Sequence, residues 1–158
     1  MVAGALADVV TKSWVFSVIP SSLKADEIVV IDGFFSLTRT TNSGAMWSLL
    51  QDFSAWLWIV IRGGVFVLLL MMYLHQRPVA LFVRIGFGLV LAGALGNLYD
   101  NAFYEGGVVR DWLKFVFGDW VFPIFNLADS FICVGAPLLL FHFARTESAR
   151  PAETEAAT

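Results

Sequence analysis

Three aspartates and two asparagines recur in a pattern suited to acid–base chemistry. Asn97-Leu98-Tyr99-Asp100 and Asn126-Leu127-Ala128-Asp129 each place a carboxylate three residues after an amide, and Asp111 stands between them. On a helix, positions three apart share a face. Two carboxylates held close together cannot both ionise cheaply, so one pKa rises and the pair shares a proton. The ionised member then takes a proton from water while the protonated member polarises a peptide carbonyl. That is aspartic-protease chemistry, and it requires neither metal nor cofactor. The same residues have a simpler use, because Asn and Asp near a helix end cap it or hold two helices together. For either tetrad alone the simpler use is the better reading. The repeat, with a third aspartate between, points to a functional site without fixing the reaction class.

The elements that must position these residues belong to a membrane protein. The 158-residue chain is 58% hydrophobic and 15% charged, with mean hydropathy +0.75. Soluble domains run nearer ~45–50% apolar and ~25% charged. A chain this short cannot hide such an excess from water, so the excess must face lipid. Four apolar stretches, about 2–19, 53–74, 78–99 and 123–143, reach the roughly 17–25 residues that a membrane helix needs. Pro20 stops the first, and Pro78 suits a first helical position in the third. Residues 1–145 then form one domain, and 146–158, polar and rich in Ala and Glu, read as a disordered tail.

Between spans two and three only a tight hairpin remains, so the two longer linkers, about 21–52 and 100–122, must share the opposite face. Residues 28–37 are β-branched and aromatic with Gly33 as a break, which predicts short strands at the membrane surface. Residues 108–117 alternate charge with aromatics and predict an interfacial segment, with Trp112 and Trp120 at headgroup depth. The expected fold is an all-α membrane protein of four transmembrane helices with surface strands and an interfacial segment. Orientation is not set by charge: Arg77, Arg84, Arg145 and Arg150 on one face balance Lys24, Arg39, Arg110 and Lys114 on the other.

Several classes are excluded. A net charge of −3 without a basic run argues against nucleic acid. The single Cys133 precludes an internal disulfide, and His75 and His142 lie too far apart to suggest a zinc site. The first segment lacks the basic start of a signal peptide and carries Asp8 and Lys12, four apart on one helix face and able to pair.

At this level the chain resembles the lipoprotein signal peptidases, the type II signal peptidases, along nearly its whole length. Asp8-Val9-Val10-Thr11-Lys12 resembles the family's D-x-x-T-K element, and Asn42-Ser43-Gly44-Ala45 its N-x-G-A element. Gly93-Ala94-Leu95-Gly96-Asn97-Leu98-Tyr99-Asp100 resembles G-A-x-G-N-x-x-D. Val108-Val109-Arg110-Asp111 sits where the family has V-V-D, with one extra residue before the aspartate, and Phe125-Asn126-Leu127-Ala128-Asp129-Ser130 resembles F-N-x-A-D-S/T. The resemblance implies a catalytic dyad of Asp111 and Asp129. Asn42, Gly44, Asn97, Asp100 and Asn126 would bind substrate or orient the dyad, and Asp8 and Lys12 would support it. It further implies a four-helix fold with a small extracytoplasmic β-cradle, both termini cytoplasmic, in the bacterial inner membrane. The substrate would be a diacylglyceryl-modified prolipoprotein cut before its lipid-bearing cysteine. Partners would be membrane lipid and globomycin-type inhibitors, with no cofactor and a monomeric enzyme.

The chain also departs from the family. Asn101 stands where an arginine usually follows the N-x-x-D tetrad, and Arg110 is a candidate to replace it from the other side. Only seven residues precede Asp8, which suggests a start upstream of Met1 or a locally thinned bilayer. Arg62 sits about halfway along span two, and snorkelling, an interhelical partner or a later helix start would each account for it. Gly88, Ala92 and Gly96, spaced by four, predict close approach of span three to a neighbour. Pro137 predicts a kink in span four, and Cys133 is expected in the core. Two other functions remain open: an inactive relative that binds lipidated peptides, and a proton-coupled transporter component using the carboxylates as a relay.

Overall fold

The computed structural model describes residues 1–19, 27–43, 55–75 and 80–148. Its elements in chain order are α1 (Val2–Val18), β1 (Glu27–Ile31), β2 (Phe35–Asn42), α2 (Ala55–His75), α3 (Leu81–Phe103), β3 (Val109–Phe117), β4 (Trp120–Val121) and α4 (Leu127–Ser148). Gly44, Pro20, Pro78 and the hairpin between α2 and α3 lie outside the described residues. So does 149–158; helix α4 itself runs to Ser148, into the stretch expected as tail.

Among the described residues, three helical segments are long and apolar enough to cross a membrane: Trp56–His75, Leu81–Phe103 and Leu127–Arg145. The protein is thus a largely helical membrane protein with a small antiparallel sheet. Helix α1, at 17 residues, is shorter. Helix α3 is the hub, packing against α4, α2 and α1. Val83, Phe87, Val90 and Leu91 of α3 and Leu139 of α4 make one buried cluster, backed by Phe66, Leu69 and Leu70 of α2.

The expected small-residue row holds in part. Ala92 and Gly96 approach α1, since a Cβ on Gly4 would lie 2.9 Å from the Ala92 Cβ and one on Gly96 2.5 Å from Asp8 Oδ2, but Gly88 has open space around it. The tightest approach is at Gly93, where a Cβ would sit 2.3 Å from the Ala128 carbonyl oxygen. Gly86 and Gly135 face each other across the same α3–α4 seam. A spacing of four marks a helix face, but α3 uses several faces at once, and its closest partner lies on another one. Cys133 is exposed rather than in the core.

The two long linkers meet on one face, where they build a single sheet in the order β1-β2-β3-β4. Gly33, at φ 67°, turns β1 into β2, and Gly118, at φ 62°, turns β3 into β4. The segment expected as interfacial is therefore a strand: β3 pairs antiparallel with β2, setting Phe35 opposite Phe115 and Thr40 opposite Asp111. Its alternating polar and aromatic residues serve the two faces of a pleated strand. Val15 and Phe16 of α1, with Ile19 at its C-cap, pack beneath the sheet against Leu37 and Trp112.

Candidate active site

Where the helices meet the sheet, the buried core turns polar. Asp8, Lys12, Asp100 and Asn126 are wholly buried, and Asp111 is 3% exposed. Such groups stay in a dry interior only when each is paired, and here a layer of ion pairs underlies a layer of amides and carboxylates.

The lower layer joins α1, α3 and β3. Lys12 Nζ lies 2.7 Å from Asp8 Oδ2 and 3.3 Å from Asp100 Oδ2. Arg110 grips Asp100 with its backbone N–H at 2.9 Å and, through Nε and a terminal nitrogen, at 3.1 and 2.6 Å. Asp8 Oδ1 accepts the Ala128 backbone N–H at 2.9 Å, one of the donors that the first turn of α4 leaves without an intrahelical acceptor. Two cations and two carboxylates thus balance in charge. Asp100 is not a third member of the carboxylate pair, since Arg110 and Lys12 occupy both of its oxygens. The Arg110 guanidinium, a candidate to replace the missing arginine after the tetrad, turns to Asp100 and, at 3.1 Å, to Ser13 Oγ.

The upper layer begins with a helix cap. Asn126 Oδ1 accepts the Asp129 backbone N–H at 2.9 Å, while Asp129 Oδ2 accepts the Asn126 backbone N–H at 3.2 Å. This reciprocal pair is a capping box for α4, so the simple reading of the second tetrad is correct as far as it goes. The cap also fixes the Asn126 amide so that Nδ2 faces inward, where it donates to Asp111 Oδ1 at 2.6 Å and to Asn97 Oδ1 at 3.2 Å. Lys12 donates to that same Asn97 oxygen at 2.9 Å, which turns Asn97 Nδ2 toward Asp129 Oδ1, 2.8 Å away. Asn42, at the end of β2, hydrogen-bonds the Asp111 carboxyl as well.

Asp111 and Asp129 are thus neighbours, both in contact with Asn126 and close enough to affect each other's charge. Burial first, and the Asp129 charge second, push the Asp111 carboxyl up to about 6; hydrogen bonds from Asn126 and Asn42 hold it from rising further. Of the residues singled out in the sequence, Asp111, Asp129, Asn126, Asn97 and Asn42 converge. Asp8, Lys12 and Asp100 lie one layer beneath, and Gly44 is outside the described residues. No cluster of His, Cys, Asp and Glu suited to a metal occurs among the described residues.

A signal peptidase (SPase) II family profile matches residues 1–145. The chain belongs to the signal peptidase II family. Lipoprotein signal peptidases of Yersinia pestis (strain Pestoides F) and Yersinia pseudotuberculosis serotype O:3 (strain YPIII) are each 37% identical to it over 139 residues, covering 86% of this chain and 79% of theirs. A bacterial membrane enzyme solved by the in meso method at 2.3 Å resolution superposes with a TM-score of 0.76 at 28% identity, covering 96% of this chain and 89% of that one. A second such structure, at 1.9 Å, gives 0.73 at 28% identity over 90% and 88% of the two chains. As a signal peptidase II the chain is a protease of aspartic type in a bacterial membrane. Membership of the family does not favour the transporter and binding-only readings.

Sequence reasoning missed the pairing that sends Arg110 to Asp100. It did single out Arg62, and of its three accounts the interhelical partner fits: the guanidinium donates a hydrogen bond to Asn101 Oδ1 of α3 and lies within electrostatic reach of both Asp129 and Asp111. A cation within an apolar helix was the available signal; the identity of its partner could not be read from sequence.

Proposed function

We propose that this chain removes the signal peptide from diacylglyceryl-modified prolipoproteins, cutting before the lipid-bearing cysteine, with Asp111 and Asp129 as the catalytic dyad. The observation that carries the assignment is that Asn126 touches both carboxylates, donating through Nδ2 to Asp111 and through its backbone N–H to Asp129, which holds them close together. The raised Asp111 carboxyl keeps its proton and donates it toward the scissile carbonyl oxygen, while Asp129 takes one from the attacking water. As the intermediate collapses, the C=O reforms and returns its proton to Asp111, the C–N bond breaks, and the proton held by Asp129 passes to the leaving amine. Asn97 and Asn126 orient the carboxylates, and Asn42 braces Asp111 from the sheet. The layer formed by Asp8, Lys12, Asp100 and Arg110 fixes the middle of α1 against the ends of α3 and α4.

In this reading α1 is the fourth membrane helix. Val2, Leu6, Val10 and Trp14 recur every four residues and are each more than half exposed, a lipid-facing stripe opposite buried Asp8 and Lys12. Seventeen residues span about 26 Å of a hydrocarbon core ~30 Å thick. Both termini are cytoplasmic in the inner membrane, and the sheet and dyad face the extracytoplasmic side, where a diacyl substrate slides in laterally. The enzyme acts as a monomer and is blocked by globomycin-type peptides. The test is to incubate the purified full chain with a lipid-modified prolipoprotein. Cleavage that disappears in Asp129→Asn and Asp111→Asn is expected; cleavage surviving either change removes the dyad assignment.

A further inference from the structure

Arg62 lies about two turns inside α2, where a cation is costly in a membrane helix. It is only half-buried, and it lines a cavity of about 290 Å³ together with Val65, Ala94, Asn97 and Ile132. Asn97 leads straight to the reacting groups, because its amide holds Asp129. The rest of the lining is aliphatic, so the cavity is an apolar slot with one guanidinium beside the dyad.

The guanidinium is held from behind. Asn101 donates through Nδ2 to the Gly107 carbonyl at 2.6 Å, which turns its Oδ1 to Arg62. The Trp58 ring lies 5.4 Å from the guanidinium carbon. Among the described residues the Asn101 oxygen is its one hydrogen-bond acceptor. An arginine carries five N–H donors in a rigid fork, so most of its donor capacity is left for an acceptor entering the slot. A carboxylate occupant is excluded by the charge of the neighbouring dyad, whereas a neutral carbonyl oxygen fits both the apolar walls and the donors.

We propose that Arg62 is a substrate-binding residue that clamps a carbonyl oxygen of the lipid-modified substrate beside Asp129, with Asn101 holding it in place; this rests on the peptidase reading above. Two parts of that substrate offer such an oxygen, its peptide backbone and the esters of its diacylglyceryl group.

The test measures kcat and KM of the full chain in detergent for Arg62→Met, Arg62→Lys and Asn101→Ala, on a diacylglyceryl-peptide and on its ether-linked analogue lacking the ester carbonyls. Losing a charge-assisted hydrogen bond raises KM by about 10- to 100-fold, with kcat within a few-fold of wild type and the pH profile of Arg62→Lys unmoved. Asn101→Ala gives a smaller rise in KM. A penalty on both substrates assigns the peptide carbonyl, and one confined to the ester substrate assigns the lipid. Wild-type KM in Arg62→Lys overturns the clamp, since a plain positive charge would then suffice. If Arg62→Met does not fold, the other two variants decide. A wild-type chain that cuts neither substrate defeats the peptidase reading instead, and binding of the ester-linked diacylglyceryl-peptide, which carries both kinds of carbonyl, to wild type against Arg62→Lys still reads the clamp.

Discussion

Lys12 and Asn97, 85 residues apart in the chain, meet with Nζ 2.9 Å from Oδ1. That contact links the ion-pair layer to the carboxylate layer, because it decides which way the Asn97 amide faces and therefore that Asp129 receives a donor. Lys12 also compensates Asp8 and Asp100, and all three side chains are wholly buried. Removing one partner of a buried ion pair leaves uncompensated charge and costs about 3–5 kcal/mol. Lys12→Met is expected to lower the thermal unfolding midpoint in detergent markedly and to remove most turnover. A variant with unchanged stability would show that the layer does not hold the fold together.

The pH dependence follows from Asp111. Its carboxyl, raised by burial and by the Asp129 charge to about 6, is the acid in the proposed mechanism, and it is protonated below that pH. The free-enzyme kcat/KM should therefore fall as pH rises through about 6, with an apparent pKa belonging to the pair. Stability runs the same way. The folded state binds this proton more tightly than the unfolded chain, so stability drains away between the ordinary carboxylate range and about 6, and is flat above it. Asp111→Asn, which mimics the protonated form, is expected to gain up to about 3 kcal/mol at neutral pH while losing at least ~10³-fold in turnover. A variant both inactive and less stable would contradict the desolvated-carboxylate account.

The α3–α4 seam offers a packing test with an internal control. At Gly93 a Cβ would meet the Ala128 carbonyl oxygen at 2.3 Å and Ile132 at 2.7 Å, whereas at Gly88 it would meet nothing within 4 Å. Gly93→Ala should cost about 1–3 kcal/mol through overpacking and, by pushing α4 outward at Ala128, depress kcat. Gly88→Ala should be neutral or stabilising by up to ~1 kcal/mol through helix propensity. Equal effects at the two positions would mean that the seam yields freely.

Both tetrads and the strands around Gly33 were legible because each rests on a local rule: spacing on a helix, a β-branched run, a glycine turn. Asp8 and Lys12 were legible as a pair for the same reason. Asp111 stood out only by its place between the tetrads and by the family resemblance. What could not be read was partner choice between distant segments. Asp100 carries the same spacing to its asparagine as Asp129 does, yet Arg110 and Lys12 claim it, and only the register that sets β3 beside α3 decides that. Likewise, Gly93 and Gly96 lie on one helix but face different neighbours. Arg62 stood out as an unexplained charge, and its link to Asn101 needed α2 and α3 placed side by side.

Asn126 separates capping from catalysis. Its Oδ1 caps α4 through the Asp129 N–H, and its Nδ2 serves Asp111 at 2.6 Å. Asn126→Ala loses both functions, with about 1 kcal/mol from the cap and a further penalty from the unpaired Asp111. Asn126→Ser keeps a side-chain oxygen suited to the N-cap but has no amide to reach the dyad. Serine should therefore restore much of the stability lost in alanine while leaving turnover equally low, and the descending limb of the pH profile should move upward, since the amide bond to the ionised carboxylate that restrained Asp111 is gone. Unfolding midpoints and kcat/KM profiles of the two variants read these separately. Recovery of activity together with stability in the serine variant would reduce Asn126 to a helix cap and remove it from the dyad.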